Sequence, residues 1–351
     1  MKKKPFSGFL SWVDEQTIKK FKKIVRGKNV KFCTIFCHHN ADPDAIYASY
    51  LTFKLVKHLN PKIECEIIAD QGISKISKVL MLKVPVNFKD KPNLEKTDLI
   101  ILVDTSTFKQ LDVWGESLEK LDKPLIVLDH HEVHPKTKEI AHLMVVNPKA
   151  SSACEIVYDI CRNVKVKLGK NDAWSLLAGI VYETKGFRYA SSKTLRVSAE
   201  LLDYGVSLDE IFNLMIQPVD RSEKIAKLKA LQRLQIFEVK EWIIGCTHVS
   251  SYQASVARTL ISLGCDVAIV GGEKKGEVRV SLRSTKNFQE KTSVHLGRDV
   301  AFYVGEKFSG MGGGHSTSAG LNVSGNLQDV LSEIVKVLKL KIEEKGANLD
   351  E

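Results

Sequence analysis

Runs of apolar residues of strand length alternate with helical stretches through the first half of the chain. Residues 31–37 (KFCTIFC), 63–69, 99–104 (LIILVD) and 125–129 (LIVLD) are almost continuously apolar. Such runs predict strands buried on both faces, and hence a parallel sheet covered by helices. Three of them end in, or lead directly into, acidic or histidine residues. Ligands of open parallel sheets bind outside the carboxyl ends of the strands, so the chemistry is expected along that edge.

From about 151 to 214 apolar residues recur at helical spacing, over 154–161, 173–182 and 195–204. Residues 218–235 (PVDRSEKIAKLKALQRLQ) are charged, amphipathic and without a strand signal, which predicts a connecting helix. Beyond it, strands at 242–247, 266–271 and 277–283 and helices at 251–263, 294–307 and 327–344 predict a smaller α/β domain. The expected organisation is therefore α/β in two domains, a larger parallel-sheet domain over 1–215 and a smaller one over 236–345, joined by 216–235. A chain of 351 residues is long enough for two cores. Internal repeats and low-complexity segments are absent from it.

Composition narrows the class. The 44% hydrophobic and 27% charged content fits neither a disordered chain nor a fibre. An excess of 52 Lys and Arg over 42 Asp and Glu, net +10, favours polyanionic partners. Part of that excess sits in runs at Lys2 to Lys4, Lys19 to Lys23 and Lys336 to Lys345, the usual pattern of solvated helix faces and tails. The basic start is followed by an apolar stretch broken at Ser7, Ser11 and Asp14, too short for a secretory core, and no segment has the length of a membrane span. Seven cysteines without a CxxC pair lie in apolar contexts, which predicts a reduced, cytoplasmic protein.

The candidate chemistry gathers at the three strand ends. His38-His39-Asn40-Ala41-Asp42-Pro43-Asp44 follows the first strand, Asp104 ends LIILVD, and Asp129-His130-His131 follows LIVL. One strand-terminal Asp is usually a helix cap. Several carboxylates converging on one sheet edge repel each other, and a bound divalent cation is the common way to neutralise them.

These residues resemble the DHH phosphoesterase superfamily, which includes RecJ-type exonucleases, oligoribonucleases with pAp phosphatase activity, cyclic-dinucleotide phosphodiesterases and family II pyrophosphatases. The resemblance implies a two-ion site, with His38, Asp42 and Asp104 holding one metal, and Asp44, Asp104 and His130 the other, Asp104 bridging. It implies further that Asp129 orients a ligand histidine and that His131 faces the phosphate. The fourth family motif, Gly-Ile-x-x-Asp-Thr, reads Gly179-Ile180-Val181-Tyr182-Glu183-Thr184 here, so Glu183 stands where an Asp ligand is expected. Arg188, in Phe187-Arg188-Tyr189, is the implied phosphate contact, and Ser151-Ser152 reads as a helix N-cap. Mixed carboxylate and imidazole donors suit Mn²⁺ or Mg²⁺, and the family favours Mn²⁺.

In the second half, the glycines of Gly310-Met311-Gly312-Gly313-Gly314-His315 read as too flexible for a helix or strand interior and as a means for backbone amides to approach an anion. With Ser281-Leu282-Arg283-Ser284 on a strand before it, this segment resembles the GGGH signature of the DHH-associated domain. The resemblance implies substrate binding by Arg283, Gly312, Gly313, Gly314 and His315, across a cleft from the metals. The expected activity is hydrolysis of phosphoester bonds in short single-stranded oligonucleotides or small nucleotides. A soluble cyclic-dinucleotide phosphodiesterase is the alternative within the family. A replication protein that has lost catalysis is the alternative outside enzymes, and it would show as missing ligands. Only Glu183 departs from the family residue. No membrane partner is expected, and the oligomeric state is left open, a homodimer included.

Overall fold

The computed structural model describes residues 11–69, 71–216, 220–274 and 276–346. The Lys2 to Lys4 run, the beginning of the connector at Pro218 and the side chain of Lys345 lie outside the described residues. The chain divides into two compact units, 1–217 and 218–351. Each has its own sheet and its own core.

The first unit is built on five strands: β1 (Phe32–Cys37), β2 (Glu64–Ile68), β3 (Leu99–Val103), β4 (Leu125–Asp129) and β5 (Leu143–Val146). All neighbours are parallel, in the order β2-β1-β3-β4-β5. The chain leaves β1 to one side for β2 and returns on the other side for β3, so the topological switch point lies between β1 and β3. Crossover connections diverge there and leave a crevice beyond the carboxyl ends of the strands.

Every residue of β3 and β4 is buried, as a sheet covered on both faces requires. On one face Cys33, Ile35, Ile101 and Val103 pack with the helices Pro43–Leu59, Ala153–Asn163 and Lys170–Glu183; on the other Phe36, Ile100, Leu102 and Val127 pack with Phe108, Leu111 and Leu118. Strand β5 is an apolar run of only four residues, LMVV, alternately buried and half-buried, too short for hydropathy alone to mark it as a strand.

The second unit has six strands: β6 (Gln235–Val239), β7 (Trp242–His248), β8 (Val267–Lys274), β9 (Glu277–Ser284), β10 (Met311–Gly314) and β11 (Ser318–Ser324). They run in the order β10-β11-β9-β8-β7-β6, antiparallel except for the parallel pair β7 and β8. The connector helix is Arg221–Gln232, shorter than the predicted stretch because β6 begins at Gln235.

The glycine run differs from its expectation. Met311–Gly314 is an edge strand paired with β11, not an open loop. The reason is backbone contact with the helical segment Leu296–Phe302 and the turn of helix after it. A Cβ on Gly312 would sit 1.8 Å from the carbonyl oxygen of Ala301, and one on Gly297 would sit 2.2 Å from that of Gly314. Glycines on both sides let helix and strand approach without side chains between them. Gly313 points the other way, with nothing within 4 Å of where its Cβ would be.

That asymmetry sets the first prediction. Gly312→Ala should destabilise the second unit by about 2 kcal/mol or more, because the strand has to move off the helix. Gly313→Ala should stay within about 1 kcal/mol of the parent. Denaturant unfolding of the two variants checks it, and equal losses would contradict the packing account.

Candidate metal centre

The first loop is formed by capping. Asp42 is the N-cap of the helix Pro43–Leu59, and its Oδ1 accepts from the amides of Asp44 (3.0 Å) and Ala45 (3.1 Å), with Pro43 in the first turn. His38 lies four residues before it. Its Nδ1 donates to the carbonyl oxygen of His39 at 2.8 Å, which leaves the Nε2 lone pair facing Asp42 Oδ1 at 3.9 Å and Asp104 Oδ2 at 3.7 Å. His39 is held in turn by the carbonyl of Gln110, through its amide at 2.9 Å and its Nδ1 at 3.1 Å.

Asp104 follows β3 with φ of 58°, in the left-handed region, while its amide still donates to Leu128 O at 2.9 Å. That turn swings the carboxylate off the strand axis and into the centre of the cluster. Strain of this kind persists only where surrounding structure holds it. Asp104 is 3% exposed, and its Oδ1 has no hydrogen-bond partner.

Asp129 ends β4 and is fully buried. Its Oδ1 accepts from the amides of His130 (2.8 Å) and His131 (3.1 Å) and from His131 Nδ1 (2.8 Å). The orienting contact to an imidazole is therefore made to His131, whose ring is more than half exposed and whose pKa this contact raises. His130 turns inward: its Nε2 is buried without a hydrogen-bond partner, 3.4 Å from Asp104 Oδ1 and 3.9 Å from Asp44 Oδ2.

Donor atoms thus form two groups in which all atoms lie within 4.8 Å of one another: His38, Asp42 and Asp104; and Asp104, Asp129, His130 and His131. Asp104 belongs to both. Asp44 falls outside these two groups. Its carboxylate spans the start of the helix Ala153–Asn163, accepting from Ala153 N at 2.6 Å and Cys154 N at 2.9 Å. Two amides and the positive end of the helix dipole hold it there, with Oδ2 turned toward His130.

Sequence reasoning missed this anchoring. Its only local trace is the Ser152 cap, whose side chain accepts from Glu155 N as expected. Gly179 completes the seat. A Cβ there would lie 2.5 Å from Cys154 Sγ and 3.2 Å from Asp44 Oδ1, so any larger residue would push the helix Lys170–Glu183 away from the aspartate.

Glu183 is the last residue of that helix, half-buried and outside both donor groups. Burial, then Asp44 and Asp42, raise its pKa, so it lies within electrostatic reach of the cluster. Arg188 is exposed beside Tyr189 on the following turn. In the second unit, the β10–β11 hairpin brings His315 to the end of the sheet where Arg283 pairs with Ser318; His315 is exposed and Arg283 Nε is buried without a partner.

The donor set fits a hard divalent cation. It consists of carboxylate oxygens and imidazole nitrogens, and three of its buried atoms, Asp104 Oδ1, Asp129 Oδ2 and His130 Nε2, have no hydrogen-bond partner. None of the seven cysteines is close enough to the other donors to enter either group. Without a cation, burial and then the neighbouring carboxylates push Asp104 well above the ordinary carboxylate range, and burial raises Asp44.

The chain matches known proteins in the same region. The pattern that defines the DHH family, N-terminal domain, covers residues 33–182. An uncharacterized protein of Methanocaldococcus jannaschii is 34% identical over 309 residues, 86% of this chain and 91% of that protein. The chain belongs to the DHH phosphoesterase superfamily. A Thermus thermophilus protein named as the bifunctional oligoribonuclease and PAP phosphatase NrnA is 37% identical over 89 residues, 25% of this chain and 26% of that protein. The crystal structure of an exopolyphosphatase-related protein from Bacteroides fragilis has a TM-score of 0.60 at 17% identity, covering 98% of this chain and all of that one, a likeness of fold. No helix among the described residues is long and apolar enough to cross a membrane.

The raised carboxyls make metal binding and stability depend on pH in a defined sense. Folded metal-free protein holds protons on Asp104, Asp44 and Glu183 that the unfolded chain releases. That contribution to stability is complete below the ordinary carboxyl range, near pH 4, and is lost as pH rises through the raised values. A cation takes the protons' place, so the gain in melting temperature from Mn²⁺ or Mg²⁺ over chelator should grow as pH rises from about 4 toward neutrality. Asn at position 104 keeps the shape and tolerates the left-handed backbone. In Asp104→Asn, calorimetric scans should show a much flatter dependence of that gain on pH.

Proposed function

We propose that this protein hydrolyses phosphoester bonds in short oligonucleotides or small nucleotides, using divalent ions, with Mn²⁺ preferred, at the carboxyl edge of the first sheet. The observation that carries the reading is the pair of donor groups sharing Asp104, with unpartnered Asp104 Oδ1 and His130 Nε2 between them. His38, Asp42 and Asp104 would hold one ion. Asp104 and His130 would hold the second, with Asp44 and Glu183 closing that side. When bound, the ions supply charge to draw in a phosphate and to lower the pKa of an attacking water.

The chain's own residues do the remaining work. The carbonyl of His39 fixes the tautomer that turns His38 Nε2 inward. Asp129 holds both the backbone and the ring of His131, so a protonated His131 can donate from Nε2 to the charge that develops on a phosphoryl oxygen. The helix N-terminus keeps Asp44 in place while it faces His130. Arg188 and, in the second unit, Arg283, Gly312 to Gly314 and His315 are assigned to substrate. The match to the oligoribonuclease and PAP phosphatase supports a nucleotide substrate over bare pyrophosphate. The net charge of +10 favours extended phosphate chains in the same direction.

The test is a panel of short RNA, short DNA, pAp, cyclic dinucleotides and pyrophosphate with Mn²⁺. Cleavage of oligonucleotides or pAp is expected. Cleavage confined to cyclic dinucleotides would move the assignment to that branch, and no cleavage of any would favour a scaffold. Asp104→Asn should reduce the rate to below about a tenth of the parent, since it removes the charge common to both donor groups.

Glu183→Gln tests the departure from the family residue. A fall of about 10- to 100-fold at limiting Mn²⁺ is expected, with Glu183→Asp retaining or exceeding the parent rate. A Glu183→Gln protein with unaltered metal dependence would remove that residue from the site.

A further inference from the structure

The turn that follows Glu183 is held in a conformation its residues do not favour. Lys185, Gly186 and Phe187 have φ of 50°, 68° and 69°, so three successive residues lie in the left-handed region and two of them are not glycine. The turn is nonetheless firmly tied. Gly186 N donates to Val181 O at 2.8 Å, Phe187 N to Thr184 Oγ1 at 3.0 Å and Tyr189 N to Thr184 O at 3.1 Å. Thr184 is itself buried, and the Phe187 ring packs edge-on to Phe212 at 6.4 Å.

The result of this strain is an outward display of Tyr189. The side chain is 60% exposed although the backbone beneath it is fixed to the end of the helix that carries Glu183. Two cations accompany the ring, Lys185 Nζ at 5.3 Å from its centroid and Arg188 Cζ at 5.8 Å. Ordinary packing explains the inward Phe187 and leaves the outward aromatic without a role. An exposed aromatic ring bracketed by cations, on a rigid turn next to a candidate phosphoester site, is the combination that binds a base by stacking and its phosphate by charge.

We propose that Tyr189 is a stacking platform for a nucleobase of the substrate, with Lys185 and Arg188 reaching the phosphates beside that base. The inference rests on the phosphoesterase reading above and adds to it a specific contact, to the base of the nucleotide as well as to its phosphates. It does not require Tyr189 to touch the metals. An exposed cation–π contact shifts an equilibrium by only about 2- to 5-fold. Stacking of a base on an aromatic side chain is worth about 5- to 100-fold. An arriving base therefore displaces a cation from the ring face, and the freed Lys185 or Arg188, long and exposed, can turn to a phosphate oxygen.

The experiment is calorimetric binding to the full chain, in Ca²⁺, of the dinucleotide pApA and of its abasic counterpart with the same phosphates. Wild type should bind pApA roughly 5- to 100-fold more tightly than the abasic molecule. Tyr189→Ala should lose most of that difference and leave abasic binding unchanged, whereas Tyr189→Phe should keep it. Equal binding of the two molecules by wild type, no binding of either, or a base preference that survives in Tyr189→Ala would each overturn the proposal. The hydrolysis panel answers the other question. Base-dependent binding without cleavage of any substrate would leave the platform standing and sink the phosphoesterase reading alone.

Discussion

The burial of Asp104 among other carboxylates is the constraint around which the first unit is arranged. Donor oxygens of Asp104 lie within 4.8 Å of those of Asp42 on one side and Asp129 on the other. At the effective dielectric of a protein site, two charges at such a distance repel by on the order of 3 kcal/mol. Several ionised carboxylates in that space are unfavourable, and the strained backbone at Asp104 adds to the cost. A divalent cation turns the same repulsion into attraction. The cluster is therefore a place where stability has been given up for binding, and the surrounding helices have to supply what it lacks.

They supply it through the sheet and the helix termini. The switch point between β1 and β3 brings the His38 to Asp44 loop beside Asp104 without any special contact, because parallel register alone aligns their carboxyl ends. Helix capping does the finer work. Asp42 caps its own helix, while Asp44 spans the start of a helix more than a hundred residues away. Gly179 allows a third helix to close over that contact. Each tie fixes a carboxylate that would otherwise move away from its neighbours.

In the second unit, the glycines about His315 have two roles that the side-chain pattern cannot separate. Gly312 and Gly297 serve the contact between helix and strand, where a methyl group would meet backbone. Gly313 is under no such demand and stands open to solvent. Flexibility is not their purpose, since Met311–Gly314 is a paired strand.

Some of this was determined by the sequence alone. Short apolar runs bounded by polar or turn residues fit strands covered on both faces, so β1 to β4, the parallel sheet and the acidic edge with His38, Asp42, Asp104 and His130 on it were legible. The short β5, and β10 with its glycines, were not, because four residues carry too little pattern, and β10 is fixed by pairing with β11 and by backbone contact with a helix, not by apolar side chains. Tertiary structure alone decided that Asp44 would be held by the amides of Ala153 and Cys154, and that Asp129 would orient His131. It also decided that Tyr189 would face outward while Phe187 turns in. Local spacing sets which residues share a face or a loop; which backbone amide, ring or carbonyl meets them is settled only when separate elements pack, since each such contact joins segments whose order in the chain carries no record of their distance in space.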